Sequence, residues 1–147
     1  MKMLKMIGAW CASGIVGYIF AALSSQIVVL VELMRLGLEI PLQDNIQSVL
    51  HAILNMRPFL IVFLIGFAIA FSAAWGVKKL LPALAIIAYP IAGAASIATA
   101  LGLMHARFGV FPILGAQETY GLVLQIIAGA VGGAAFEILR PKQPLSA

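Results

Sequence analysis

Residues Met6 to Val31 form a run of 26 without a single charge, bounded by Lys5 and Glu32. As a helix, such a run is about 39 Å long, enough to cross the roughly 30 Å hydrocarbon core of a bilayer. A helix of a soluble domain keeps a polar face, and this run offers only scattered hydroxyls and Gln26. Its start resembles a signal peptide, with a basic Met1-to-Lys5 segment and Ala22-Leu23-Ser24 as a cleavage-like site. Signal cores span about 7–15 residues, however, and apolar sequence continues past Ser24 through Val31. The run is expected to be an uncleaved membrane anchor.

Three more apolar runs follow, over 58–77, 80–104 and 121–139. Four spans of about 20 residues require about 80, and 63% of the 147 residues are hydrophobic while 10% are charged. Ordinary globular chains are roughly 45–50% apolar and about 25% charged. These figures exclude a disordered chain and a nucleic-acid binder, and the single cysteine, Cys11, excludes a disulfide scaffold. The expected fold is all-α: one membrane domain over 1–147 with four transmembrane helices and an additional amphipathic helix on the outer face. That helix is expected over 44–55, where Ile46, Val49, Leu50, Ile53 and Leu54 recur at helical spacing. Asp44 or Asn45 is available as its cap. Pro90, inside the third run, should kink that span.

Orientation follows from the basic residues of the short loops, which favour the cytoplasm. With the N-terminus inside, Lys2, Lys5, Lys78, Lys79, Arg140 and Lys142 are internal, while Arg35, Arg57 and Arg107 are external. Six against three places both termini in the cytoplasm, and a bacterial inner membrane is the expected location. The segment 108–115, Phe108 to Gly115, is too apolar for a free loop and is expected to be re-entrant or to rest at the interface.

Small residues recur every four positions in all four spans: Ala9, Ser13, Gly17, Ala21 and Ser25; Gly66, Ala70 and Ala74; Ala88, Ala92, Ser96 and Ala100; Gly121, Gly129 and Gly133. Rows at this spacing form the ridges along which helices cross. Small side chains there let backbones approach where water exclusion supplies no driving force. Gly17, Ala21, Ala92, Ser96, Gly129 and Gly133 are the expected packing residues. More small ridges are present than one compact bundle can bury, so a ridge is expected to face another chain. Phe59, Phe63, Phe67 and Phe71 share the spacing in the second span, as a lipid-facing or packing stripe.

Ionisable groups within spans are functional suspects. Glu137, with Arg140 three residues on, and Gln125 along the same ridge form one polar site; Glu32 and Arg35 repeat the spacing at the end of the first span. Gln26 lies near that end and is placed to hydrogen-bond across helices. His51 and His105 fall on the outer side and raise a remote haem- or metal-binding alternative, although a metal wants further ligands. No nucleophile elbow, zinc-binding His-Glu-x-x-His or phosphate loop is present, so neither enzyme nor cofactor is expected. The span count is similar to that of the small multidrug transporters. Those centre on a carboxylate in the first helix, and none lies between Met6 and Val31.

The leading expectation is a non-enzymatic membrane subunit, contacting lipids and acting in a homo-oligomer or with other membrane subunits through helix packing. A small-solute or ion transporter or channel is the alternative. Pro90, Gln125, Glu137 and the Ser96–Thr99 pair would be its working parts.

Overall fold

A computed structural model describes residues 2–38, 41–84, 86–109 and 116–140. Within these residues every regular element is helical: α1 (Lys2–Arg35), α2 (Leu42–Asn55), α3 (Arg57–Leu80), a 3-10 turn (Pro82–Leu84), α4 (Ala88–Phe108) and α5 (Thr119–Leu139). Four of the five α-helices, all but α2, are long and apolar enough to cross a membrane. The expected re-entrant segment falls almost wholly on 110–115, outside the described residues.

The helix ends follow from local chemistry. Gly37, at φ 76°, closes α1 in the left-handed conformation that glycine adopts without a Cβ clash. Gly37 N–H donates to Met34 O and Leu38 N–H to Leu33 O, the paired bonds of a Schellman cap. Gly109, at φ 73°, ends α4 with its N–H on His105 O. The third spanning helix starts at Ala88, later than the 80 read from hydropathy. Leu81 precedes Pro82, and the residue before proline is steered out of the helical region; Leu81 sits at φ −129°, ψ 81°. Pro90 therefore occupies the third position of α4 rather than its interior. An N–H there would have had no intrahelical partner to lose, so the expected mid-helix kink has no cause.

The spanning helices form a ring in the order α1, α5, α4, α3, with neighbours in contact and α1 and α4 at opposite corners. Chain direction alternates between consecutive spans, so Lys78 of α3 meets Glu137 of α5 at one end and Glu32 of α1 meets Tyr120 of α5 at the other. We call these the Lys78 end and the Tyr120 end. Helix α1 has 34 residues and is about 51 Å long, so it outreaches a bilayer core.

The phenylalanine stripe forms the centre of the bundle. Phe59, Phe63, Phe67 and Phe71 are all buried, with successive ring centroids 5.1, 5.4 and 4.8 Å apart. The column continues onto Phe136, stacked 4.4 Å from Phe71, and edge-on to Tyr89. Offset and edge-to-face contacts of this kind are the favoured aromatic geometries.

Helix α2 starts at Leu42 with Pro41 as its N-cap, so the expected Asp44 or Asn45 cap gives way to a position three residues earlier. Asp44 lies instead in the first turn, where a carboxylate complements the exposed N–H groups. The helix leans on α1, with the Tyr18 hydroxyl donating to Ile53 O. Val49 and Ile53 are half-buried there, while Ile46, Leu50 and Leu54 form an exposed apolar stripe one turn apart.

Candidate functional site

Two of the small-residue ridges are consumed inside the bundle. The α1 row, Ala9, Ser13, Gly17, Ala21 and Ser25, is buried at every position. A Cβ on Gly17 would lie 2.9 Å from the Phe63 ring, and one on Gly132 would lie 2.5 Å from the Phe67 ring. The aromatic column thus fits because glycines face it from α1 and α5. On α5, Gly129 and Gly133 meet α4 of the same chain. A Cβ on Gly129 would fall 2.5 Å from Gly93 O, and one on Gly133 would fall 2.1 Å from Tyr89 O. Gly93 reciprocates, since its own Cβ would lie 2.2 Å from Gly129 O. The α4 and α5 backbones are therefore in direct contact, and no side chain fits between them.

The remaining rows face each other across an open groove. Gly66, Ala70 and Ala74 of α3 and Ala88, Ala92, Ser96 and Ala100 of α4 line a cavity of about 530 Å³. At one point the helices close up, where a Cβ on Gly66 would reach within 2.4 Å of Ser96 Oγ. Ile69, Ile91 and Leu103 rise at the groove edges, each more than half exposed. From Ala88 to Leu103 the lining covers about 23 Å of helix, most of a hydrocarbon core. Among the described residues Ser96 and Thr99 are its polar side chains.

The polar residues singled out from the sequence lie in three separate places. Gln125 is fully buried between α5 and α1, where its Nε2 donates to Ala21 O at 3.0 Å and Ser25 Oγ at 2.9 Å. Its Oε1 is buried without a partner among the described residues. Glu137 is clamped at the Lys78 end by Lys78 Nζ at 3.0 Å and by Arg140, through Nε and NH2, each at 2.9 Å. Both cations lie over the Tyr89 ring, 4.8 and 5.1 Å from its centroid. Glu32 accepts from Arg35 at 3.1 Å and from the Tyr120 hydroxyl at 2.6 Å. Gln125 and Glu137 share a ridge, with Gly129 and Gly133 between them, both buried, and their polar side chains bond to different partners.

His51 and His105 are exposed, on α2 and near the end of α4. Among the described residues no three His, Cys, Asp or Glu side chains gather as metal ligands would. Gln26 lines a cavity of about 400 Å³ with Ser25 and Asn55, beneath α2.

Sequence reasoning missed Lys78 and Tyr120 as partners of the two carboxylates, and Gly93 as half of the α4–α5 contact. Long-range pairing leaves no trace in spacing. Gly93 could have been found as the only glycine in the first half of α4, opposite a glycine-rich α5. No protein family, no curated protein and no solved structure matches this chain.

Proposed function

We propose that the protein is a non-enzymatic membrane subunit that acts by helix contact, and that its α3–α4 groove is where a second copy of the chain docks. The observation that carries this reading is the open state of the groove. Its ridge pair is buried at Ala74 and Ala88 but only half-buried at Ala70, Ala92, Ser96 and Ala100, whereas the α1 ridge is buried at every position and Gly129 and Gly133 of α5 are closed against α4. Its length suits a membrane-spanning helix better than a compact solute. The face also carries its own knobs, Ile69, Ile91 and Leu103, beside its own holes at Ala70, Ala92 and Ser96. A twofold contact requires this self-complementarity.

In this reading the bundle lies in a bacterial inner membrane with the Lys78 end cytoplasmic, following the six-to-three distribution of basic residues. The α2 helix then lies on the outer face, and its exposed Ile46–Leu50–Leu54 stripe faces the acyl boundary as interfacial helices do.

Self-association tests the proposal. In lipid bilayers the wild-type chain should dimerise, and Ala92→Leu, which fills the groove floor, should shift it to monomer while the bundle stays folded. A strict monomer at every protein-to-lipid ratio would overturn the reading, and so would a dimer indifferent to Ala92→Leu.

A further inference from the structure

On the other side of α3, where α1 and α3 part at the Lys78 end, lies a second cavity of about 550 Å³. Its walls are Met6 and Trp10 of α1 and Phe71 and Trp75 of α3, with Tyr89 and Phe136 behind. Among its lining side chains Ser72 carries the one hydroxyl outside the rings, and that hydroxyl already donates to Ala68 O at 2.7 Å. The interior is mostly apolar and suits hydrocarbon, with one unsatisfied donor among the described residues, Trp10 Nε1, which is buried without an acceptor.

The rim is different. Lys5, Lys78, Lys79 and Arg140 lie at this end, where Glu137 is the one carboxylate among the described residues. Lys78 and Arg140 are engaged with that carboxylate, whereas Lys79 is exposed, with its ammonium 5.9 Å from the centroid of the Trp75 ring that forms the cavity wall. Lys5, also exposed, immediately precedes Met6. An apolar slot therefore opens beneath cations that lack an anionic partner among the described residues.

We infer that this seam is a binding site for one anionic glycerophospholipid, its acyl chain in the aromatic slot between α1 and α3 and its phosphate on Lys79. The polarity matches on both counts: hydrocarbon meets Met6, Trp10 and Phe71, and the headgroup meets the exposed cation one turn beyond Trp75. The site uses a different face of α3 from the one that lines the α3–α4 groove, so it stands or falls independently of self-association.

The chain supplies its own probe, because its two tryptophans, Trp10 and Trp75, both line the slot. Purified protein is reconstituted in bilayers containing acyl-brominated phosphatidylglycerol or acyl-brominated phosphatidylcholine, and quenching of tryptophan fluorescence gives the relative affinity. One uncompensated lysine near a headgroup corresponds to a preference of about fivefold for the anionic lipid. Lys79→Gln, at an exposed position that leaves the bundle intact, should abolish the preference. Ser72→Phe, which fills the slot, should reduce quenching by both lipids. Equal quenching of the wild type by the two lipids, a preference that survives Lys79→Gln, or quenching unaffected by Ser72→Phe would each overturn the assignment.

Discussion

Replacing Gly133 by alanine adds one methyl group at the tightest point of the bundle. The new Cβ would sit 2.1 Å from Tyr89 O, 2.7 Å from Tyr89 C and 2.9 Å from Pro90 Cα. All three are backbone atoms, so no side chain can swing aside. Restoring an ordinary contact of 3.4 Å requires α4 and α5 to part by about 1.3 Å at this level. That separation also loosens the reciprocal contact at Gly93 and Gly129, one turn away. Overpacking of this kind typically costs about 1–3 kcal/mol, against a gain of at most about 1 kcal/mol in helix propensity. The propensity gain is shared by any helical Gly→Ala change, so relative to an uncrowded site the expected loss is about 1–3 kcal/mol. Gly102, also in α4, has nothing within 4 Å of its would-be Cβ, so Gly102→Ala should be neutral or slightly stabilising. Reversible unfolding in mixed bicelles, followed by circular dichroism, compares the two. A Gly133→Ala protein as stable as Gly102→Ala would show that the α4–α5 backbones are not in contact.

Glu137→Gln should destabilise the bundle by about 2 kcal/mol, since it strands two half-buried cations. The same change at Glu32, which loses an exposed pair with Arg35 and keeps an amide oxygen to accept from the Tyr120 hydroxyl, should cost about 1 kcal/mol or less; equal losses in bicelle unfolding would contradict this ranking. Gln125→Leu removes two interhelical hydrogen bonds of about 0.6 kcal/mol each but also an unpartnered buried oxygen. Its net effect should be below about 1 kcal/mol, and ion flux through proteoliposomes should not change; an altered flux would favour a conducting path along α5. Cysteine-directed labelling of intact cells should reach a cysteine placed at Asp44 and miss one at Lys79. The reverse pattern would invert the topology.

Much of the architecture is legible in the sequence because a bilayer permits few solutions. Uncharged runs such as Met6–Val31 mark the helices, and every member of the four-residue row from Ala9 to Ser25 is buried as its spacing implies. The start of α4 was less legible, since hydropathy does not register the turn that Pro82 imposes on an apolar stretch. Which ridge faces which was not legible at all. Gly129 and Gly133 look equally suited to another chain or to α4, and the decision rests on Gly93, a residue outside the counted row. The polar site divides in the same way: spacing pairs Glu137 with Arg140, but Lys78 arrives from 59 residues away.

The central claim, that the α3–α4 groove joins two copies, is tested most directly by disulfide crosslinking in native membranes. In a chain with Cys11 replaced by alanine, single cysteines are placed at Ala95, which is exposed in the groove, and at Ile127, which is exposed on α5. Mild oxidation should yield a covalent dimer through the cysteine at 95, lost when Ala92→Leu is added, and none through the cysteine at 127. Crosslinking at 127 but not at 95, or at neither, would contradict the account.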